Sequence, residues 1–380
     1  MGSSLTLKTR FRWISLAVAL FVGSAASVGV WKYCSADLTG PSATEHNITN
    51  IVTLLMQDQH LARRPLNDEV STRAFNLFIK GLDPLKLYFH QSDIDEFRRY
   101  EKYLDDMLKK NDTSFAFIVF KRFLKRVEER VKMVNQILDQ ELDFTKDEFM
   151  VTDAELRNYA TNEKEAYEFW RQRIKYDLLV LKSEETEGDE AKDKLRRRYQ
   201  NFGRRMGQFD NNELLEAFLT AFTTSFDPHT NYMSPTSLEN FRIALGLKLE
   251  GIGAQLQDRD GKTIVAKVVP GGAADKHGKI KEEDEIVSVG QGTEGEMVDI
   301  VGEKLNDVVK QIRGDAGTIV RLGVIPADGT EVVIYEITRA KIELDDSAAQ
   351  GEVFEMGSKP DGTPYKLGVI DLPSFYMDME

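Results

Sequence analysis

The composition of the sequence changes abruptly near residue 240, and this change most constrains the fold. From Glu45 to about Phe226, apolar residues recur three and four positions apart among Glu, Lys and Arg, and glycine is scarce. That spacing is typical of amphipathic helices. From Leu245 to Ile342 glycine is frequent, and β-branched residues cluster in short alternating runs such as KTIVAKVV and TIVRLGVI. This second pattern indicates short strands in a small β-sandwich or partial barrel.

The length of the chain agrees with two or three domains, since ordinary domains contain roughly 100 to 200 residues and this chain has 380. We predict a multidomain α+β protein, with an all-helical domain over residues 45–236 and a β domain over residues 238–342. N-caps are expected at residues such as Asp93 and Asp153. The basic stretch DEAKDKLRRRYQNFGRR contains acidic residues, which favours a solvated, ion-paired helix face over a basic binding surface.

Residues 1–34 have the composition of an export signal. Lys8, Arg10 and Arg12 precede an uncharged run from Ile14 to Val30 that includes small residues suited to a signal peptidase. The run falls short of the about 20 apolar residues that a helix needs to span a bilayer. A cleaved signal peptide is therefore favoured over a retained membrane anchor, and either one exports the rest of the chain.

Composition also argues against several kinds of site. The net charge of −13 disfavours nucleic acid and anionic membrane surfaces as partners. The single cysteine, Cys34, has no disulfide partner, so the exported chain depends on packing for its stability. The five histidines are scattered singly, without the paired spacing of a metal site. We therefore predict no metal ligands.

Two glycines stand just ahead of a predicted strand, in the sequence GIGAQLQ that begins at Gly251. Without Cβ atoms their backbone N–H groups can converge into a concavity that favours anions. If the strand is a sheet edge, an extended peptide can pair with it while those amides hold its terminal carboxylate. The helical run EKLNDVVKQIRG would supply an apolar slot for the last side chain. The candidate peptide-binding residues are Gly251, Ile252, Gly253, Ala254, Leu305, Val308 and Val309.

The segments of this region resemble a PDZ domain of the circularly permuted bacterial form. They are GIGAQLQ, the turn DRDGK, TIVAKVVPGGAADKHGKIKEEDEIVSVG, the helix and the closing strand VVIYEITRA, in that order. Upstream lies SFDPHTNYMSP, with Asp227, Pro228, His229, Thr230 and Tyr232, and downstream lies LGVIDLPSFY. Together these features resemble the tail-specific protease, or C-terminal processing peptidase, family of bacterial periplasms along essentially the whole chain.

The resemblance implies a serine peptidase with a Ser-Lys dyad that degrades or processes exported proteins. Its partners would be apolar, unstructured polypeptide C-termini captured by the PDZ domain, without any metal or organic cofactor. It implies a periplasmic location, with release from the membrane or anchoring in the inner membrane through residues 14–30. In the family the dyad lies in an α/β peptidase domain beyond the LGVIDLPSFY strand. Residues 343–380 are therefore expected to be the opening strand of that domain, no catalytic residue is assigned, and the chain alone is expected to be inactive.

Other interpretations are open at this point. A hidden Ser-His-Asp arrangement would have to use Ser374 and His229, but nothing in their spacing brings them together, and turn or packing roles are favoured. A non-catalytic adaptor that presents protein C-termini to a partner is the main alternative. An exported chymotrypsin-like protease is disfavoured, because that class places its catalytic barrel ahead of the PDZ domain, where this chain has helices.

Overall fold

The structure is a computed structural model that describes residues 38–343 and 348–377. The predicted signal peptide or anchor lies outside the described residues. Two compact units divide the chain between Tyr232 and Met233, and we call them the helical unit and the β unit. Within the described ranges, none of the helices has both the length and the apolar character that a bilayer span requires.

Helices form the helical unit because its apolar residues recur at helical spacing. Its described α-helices are α1 Ala43–Asp58, α2 Asp68–Leu82, α3 Gln91–Phe97, α4 Leu104–Lys109, α5 Ser114–Leu138, α6 Glu163–Ser183, α7 Gly188–Gly207 and α8 Asn211–Thr224. Phenylalanines dominate the larger of two cores, where the rings of Phe78 and Phe218 meet edge to face with centroids 5.4 Å apart. The second core surrounds Trp170 and joins α5, α6 and α7.

The ends of these helices correct two predictions from the sequence. Asp93 is not an N-cap, since α3 begins after His90, and the Asp93 carboxylate accepts the backbone N–H of His90 at 2.9 Å from inside the first turn. Asp153 caps a turn instead of a helix, because its carboxylate accepts the N–H of Glu155. The residue that caps α6 is Asn162. Short polar side chains stabilise turns and helix starts by the same hydrogen bond, so sequence alone cannot separate the two.

The β unit begins with a helix and continues mainly as strands. Its described helices are α9 Pro235–Gly246, α10 Ala273–His277 and α11 Leu305–Ile312. Its described strands are β1 Lys248–Gly251, β2 Ala254–Arg259, β3 Lys262–Val268, β4 Glu285–Gln291, β5 Met297–Asp299, β6 Ile319–Ile325, β7 Val333–Thr338, β8 Ala340–Glu343, β9 Gln350–Met356 and β10 Tyr365–Asp371.

The central sheet of the β unit is antiparallel and follows the order β2-β3-β4-β6-β7, with β5 added beside β4. β1 pairs with β8 in a separate ladder that joins Gly251 to Ala340. The core is aliphatic and contains Val265, Val308 and Leu322 with none of their surface exposed. The predicted multidomain α+β architecture, with helices followed by a small β domain, is confirmed.

The last described strands form a hairpin. The sequence predicts one strand without a partner at YKLGVID, whereas the structure pairs this strand, β10, with β9, and Leu367 lies opposite Phe354. Both faces of the hairpin are exposed, and Ile370 is 80% exposed. A two-stranded sheet with apolar residues on open faces is only marginally stable by itself.

Candidate peptide-binding site

Strand β2 lies at the edge of the central sheet. Among the described residues it pairs only with β3, through a two-residue turn in which Asp260 and Gly261 both have positive φ. Such turns match the twist of the flanking strands. Alternate N–H and C=O groups of an edge strand point away from its neighbour and remain open to another chain. β2 therefore offers a backbone edge to an extended peptide.

The loop between β1 and β2 turns its carbonyl groups inward. The Ile252 carbonyl accepts the N–H of Ala274 at 2.7 Å, and the Gly253 carbonyl accepts the N–H of Val269 at 2.8 Å. The Ile252 side chain is buried in the core of the β unit. Within the described part of the chain, the N–H groups of Ile252 and Gly253 make no hydrogen bond. Unpaired donors are uncommon in buried backbone, and two in succession form a site for an anion.

The two glycines of the loop are not equivalent. Gly253 has φ +76, and a Cβ atom there would lie 3.0 Å from Cδ1 of Ile342 and 3.1 Å from Cα of Gly272. Both the conformation and the space at this position require glycine. A Cβ atom at Gly251 would meet its nearest neighbour, Cδ1 of Leu249, at 3.6 Å, which is an ordinary contact. The geometry therefore requires glycine at position 253 only, whereas the sequence predicts a role for the missing Cβ atom at both positions.

Helix α11 packs against β2 and presents two rows of apolar side chains. Val308 and Ile312 face the core, with exposed fractions of 0% and 3%. Leu305 and Val309 are half-buried. Since residues four apart lie on the same face of a helix, these two form the row that remains accessible. Of the three predicted helix residues, Leu305 and Val309 thus line the accessible side of the slot, whereas Val308 lies in the core.

On the strand side of the slot, Ala254 and Leu256 are half-buried and pack at the margin of the same core. The slot between β2 and α11 is therefore apolar on both sides and ends at the loop with the free N–H groups. An apolar slot beside unpaired N–H groups is complementary to an apolar side chain next to a terminal carboxylate.

Arg339 fixes the end of α11 that lies near the loop. Its Nε donates to the Ile312 carbonyl at 2.8 Å, and its Nη2 donates to the Gln311 carbonyl at 3.1 Å and to Oε1 of Gln291 at 2.7 Å. The side chain is 5% exposed, and burial lowers its pKa. The last carbonyls of a helix need such donors, and a cation suits that end of the helix dipole. This role of Arg339 is not predicted from the sequence, where the only signal is a lone Arg between two closing strands.

A second arginine lies next to the loop. A Cβ atom at Gly251 would be 3.7 Å from both Cα and Cγ of Arg313, which follows α11 directly. The Arg313 guanidinium donates to Oδ1 of Asn240 on α9 at 2.9 Å. The first carbons of this side chain thus border the loop, while its charged end is held by α9.

The remaining sequence candidates have local roles. The His229 side chain is 90% exposed, and its N–H and Nδ1 lie 2.8 and 3.0 Å from Oδ1 of Asp227. The hydrogen bond from the His229 N–H lowers the pKa of Asp227. This is an Asx turn, in agreement with the predicted turn role. Ser374 is exposed just beyond β10.

Comparisons with known proteins identify two domains in the chain. Residues 51–236 match the family model of the tail specific protease N-terminal domain, and residues 240–325 match that of the PDZ domain. The tail-specific protease of Haemophilus influenzae is 33% identical over 372 residues, which are 97% of this chain and 52% of the relative. The carboxy-terminal processing protease CtpB of Bacillus subtilis is 29% identical over 193 residues, which are 50% of this chain and 37% of the relative.

One solved structure is similar to part of the chain. It is the PDZ domain of the carboxy-terminal protease from Vibrio cholerae in complex with peptide, 43% identical, covering 26% of this chain and 100% of that structure with a TM-score of 0.25. The chain spans about half the length of its Haemophilus relative. From the two domain models and a relationship along nearly the whole sequence, the chain belongs to the family of tail-specific and C-terminal processing proteases, whose N-terminal domain and PDZ domain it contains.

Proposed function

We propose that this chain recognises the free C-termini of exported proteins through its PDZ domain, on behalf of a serine-type endopeptidase that degrades or processes them. The observation that carries the proposal is the pair of unpaired N–H groups at Ile252 and Gly253, at the start of an open edge strand. A terminal carboxylate is the one anion that every polypeptide carries at the end of an extended segment. The loop can bind the terminal carboxylate while the strand edge that follows it pairs with the extended segment.

The chemistry of the slot determines which C-terminal residue of a bound peptide is preferred. Ala254, Leu256, Leu305 and Val309 are half-buried and carry no charge. A charged last residue would lose its hydration in this slot without gaining a partner. Apolar C-terminal residues are therefore the expected guests, and folded proteins with ordered tails are poor ones.

In this proposal the catalytic Ser and Lys lie outside the 380 residues. A lysine can act as the general base only if burial depresses its pKa, so that a neutral amine accepts the serine proton. The exposed apolar hairpin of β9 and β10 supports the idea that further strands of a peptidase domain pack beside it. Export to the periplasm, by a cleaved signal or an anchor over residues 14–30, is part of the same proposal.

A non-catalytic adaptor is the second candidate, because the loop, the edge strand and the apolar slot proposed for capture all lie within the described residues. Reading the gene beyond codon 380 separates the two candidates. A frame that continues into an α/β pattern with a Ser and a Lys supports the peptidase, and an immediate stop codon supports the adaptor.

The test of capture uses two fluorescent peptides that share an apolar C-terminal sequence, one with a free carboxylate and one amidated. We expect fluorescence anisotropy to show saturable binding of the free acid and at least tenfold weaker binding of the amide, by loss of a charge-assisted contact. Equal affinities would contradict capture at the loop. Incubating an unfolded substrate with the longer gene product and with this chain then tests cleavage, which we expect only from the longer product.

A further inference from the structure

The helical unit contains a cavity of about 830 Å³ that the proposed function does not use. It is lined by α2, the segment that follows it, α5, α6, α7 and α8, and it is partly open to solvent. Its volume lies within the range of about 300–1,000 Å³ that is typical of small-molecule sites. Its walls are mainly apolar and rich in aromatic rings, which include Phe78, Tyr88, Phe123, Trp170 and Phe202.

Helix α7 has a very polar sequence, yet one of its faces lines the apolar cavity. Tyr199, Phe202 and Met206 recur at helical spacing, are half-buried, and line the cavity. Arg198 and Arg205 flank this row two turns apart and also line it. The basic stretch that we expected to be only a solvated face thus contributes an apolar row with a cation at each end.

The charges of the lining are unevenly matched. Three arginines face two acidic residues, Asp83 and Glu216. The Asp83 carboxylate is buried and accepts the N–H groups of Leu87, Tyr88 and Phe89 at 2.8–3.0 Å, so it is already satisfied by backbone donors.

The three arginines also differ from one another. Arg173 and Arg198 both form ion pairs with Asp177. Nε of Arg173 lies 3.1 Å from Oδ1 of Asp177, and Nη1 of Arg198 lies 3.6 Å from Oδ2. Arg205 is exposed and has no ion-pair partner in the part of the chain that the structure describes. One arginine without an ion-pair partner among the described residues therefore lies where the cavity meets solvent.

We propose that this cavity binds one apolar chain of an amphiphile whose head is anionic. The chain would occupy the space beside Phe202 and Trp170, and the head would lie at Arg205. A free fatty acid and an anionic phospholipid both present this chemistry, so the experiment includes both. A neutral or cationic head gains nothing at Arg205 and should bind more weakly.

The experiment uses contact quenching of one tryptophan. The chain has three, and replacing Trp13 and Trp31 by Phe leaves Trp170 in the cavity wall as the only one. We expect 12-bromododecanoate, below its micelle concentration, to quench Trp170 with saturation, and 12-bromododecanol to bind more weakly. Arg205→Glu should weaken binding of the acid about fivefold, as for loss of an exposed ion pair, and leave the alcohol unchanged. Arg197→Glu, on the exposed side of the same helix, is the matched control and should change neither.

Vesicles of phosphatidylglycerol with brominated chains separate the two sources. Quenching by the vesicles as well as by the monomeric acid extends the site to membrane lipid, and quenching by the acid alone restricts it to free fatty acids. No quenching by either, or equal effects of Arg205→Glu and Arg197→Glu, would overturn the proposal. Displacement of the bound acid by an unfolded apolar polypeptide would assign the cavity to a protein segment and would also overturn it.

Discussion

The two units differ in what they do with their backbone. In the helical unit, side chains complete the hydrogen bonds that helices leave open, as where the Asn67 side chain accepts the N–H groups of Glu69 and Val70 at the start of α2. In the β unit, a strand edge and two loop N–H groups are left open. In the proposed function, recognition rests on backbone groups that are left unpaired, whereas the stability of the helical unit rests on side-chain packing. Substitutions in the two units should therefore have separable effects.

The largest effect is expected from the aromatic core. Phe218→Ala should destabilise the helical unit by about 3–5 kcal/mol, because it removes a side chain that is 1% exposed and packed against Phe78 and Phe115. Urea unfolding followed by circular dichroism measures the change. Phe149→Ala, at a residue that is 92% exposed, is the matched control and should cost under about 0.5 kcal/mol. Peptide affinity should be unchanged in both variants, and a loss in Phe218→Ala alone would break the separation.

Gly253→Val is expected to abolish peptide binding. The new side chain must adopt a positive φ and would crowd Ile342 and the Gly272 backbone, so the β unit should also lose about 1–3 kcal/mol while it stays folded. Gly251→Ala is the matched control, since a Cβ atom has room there. Titration with the free-acid peptide and thermal unfolding measure both effects. Equal affinities of the two variants would contradict the importance of Gly253.

Acid should weaken the helical unit through Asp93. Burial raises the pKa of this carboxyl, but hydrogen bonds from Arg126, the His90 N–H and Arg122 outweigh burial and hold the pKa at about 2, below the ordinary value of 3.8. Because the folded state binds this proton less readily, the stabilisation is present above pH 4 and is lost as the pH falls towards 2. The shift corresponds to about 2 kcal/mol.

The matched variant for this acid effect is Asp93→Asn, which should be less stable at neutral pH and lose less stability between pH 5 and 2. Urea unfolding at a series of pH values measures the difference. An unchanged slope in the variant would show that other carboxylates carry the acid sensitivity.

The smallest effects should separate the two rows of α11. Leu305→Ala is expected to weaken peptide binding about fivefold, through loss of partly buried apolar area, with little change in stability. Val308→Ala should cost about 2 kcal/mol of stability, because it leaves a cavity in the core. Its peptide affinity should change less than that of Leu305→Ala. The reverse outcome would place Val308 in the slot.

Most of the fold can be predicted from the spacing of apolar residues along the sequence. The alternating run KTIVAKVV becomes β3, and EKLNDVVKQIRG becomes α11, because each pattern matches the period of its element. Hydrogen-bond partners are harder to predict, as the displaced caps at Asp93 and Asp153 illustrate. The partner of β10 was also missed, since the GEVFEM segment contains a glycine and two glutamates, which weaken its strand signal.

The sequence predicts where the candidate site lies, but it does not distinguish the individual residues of that site. The glycines identify the loop, yet only the φ angle and the crowded surroundings show that Gly253, and not Gly251, must be glycine. Helical spacing places Leu305, Val308 and Val309 on one side of α11, and only packing separates the core row from the slot row. Arg339 could not be found, because its partners are carbonyl groups brought together by the fold.

The most direct measurement is the amide proton resonance of Ile252 and Gly253 in the ¹⁵N-labelled chain, recorded during titration with the free-acid and the amidated peptide. Formation of hydrogen bonds to a carboxylate should shift both resonances downfield with the free acid, and the amidated peptide at the same concentration should leave them nearly unchanged. Resonances that do not respond to the free acid, or that respond equally to both peptides, would contradict the account that these N–H groups hold a C-terminal carboxylate.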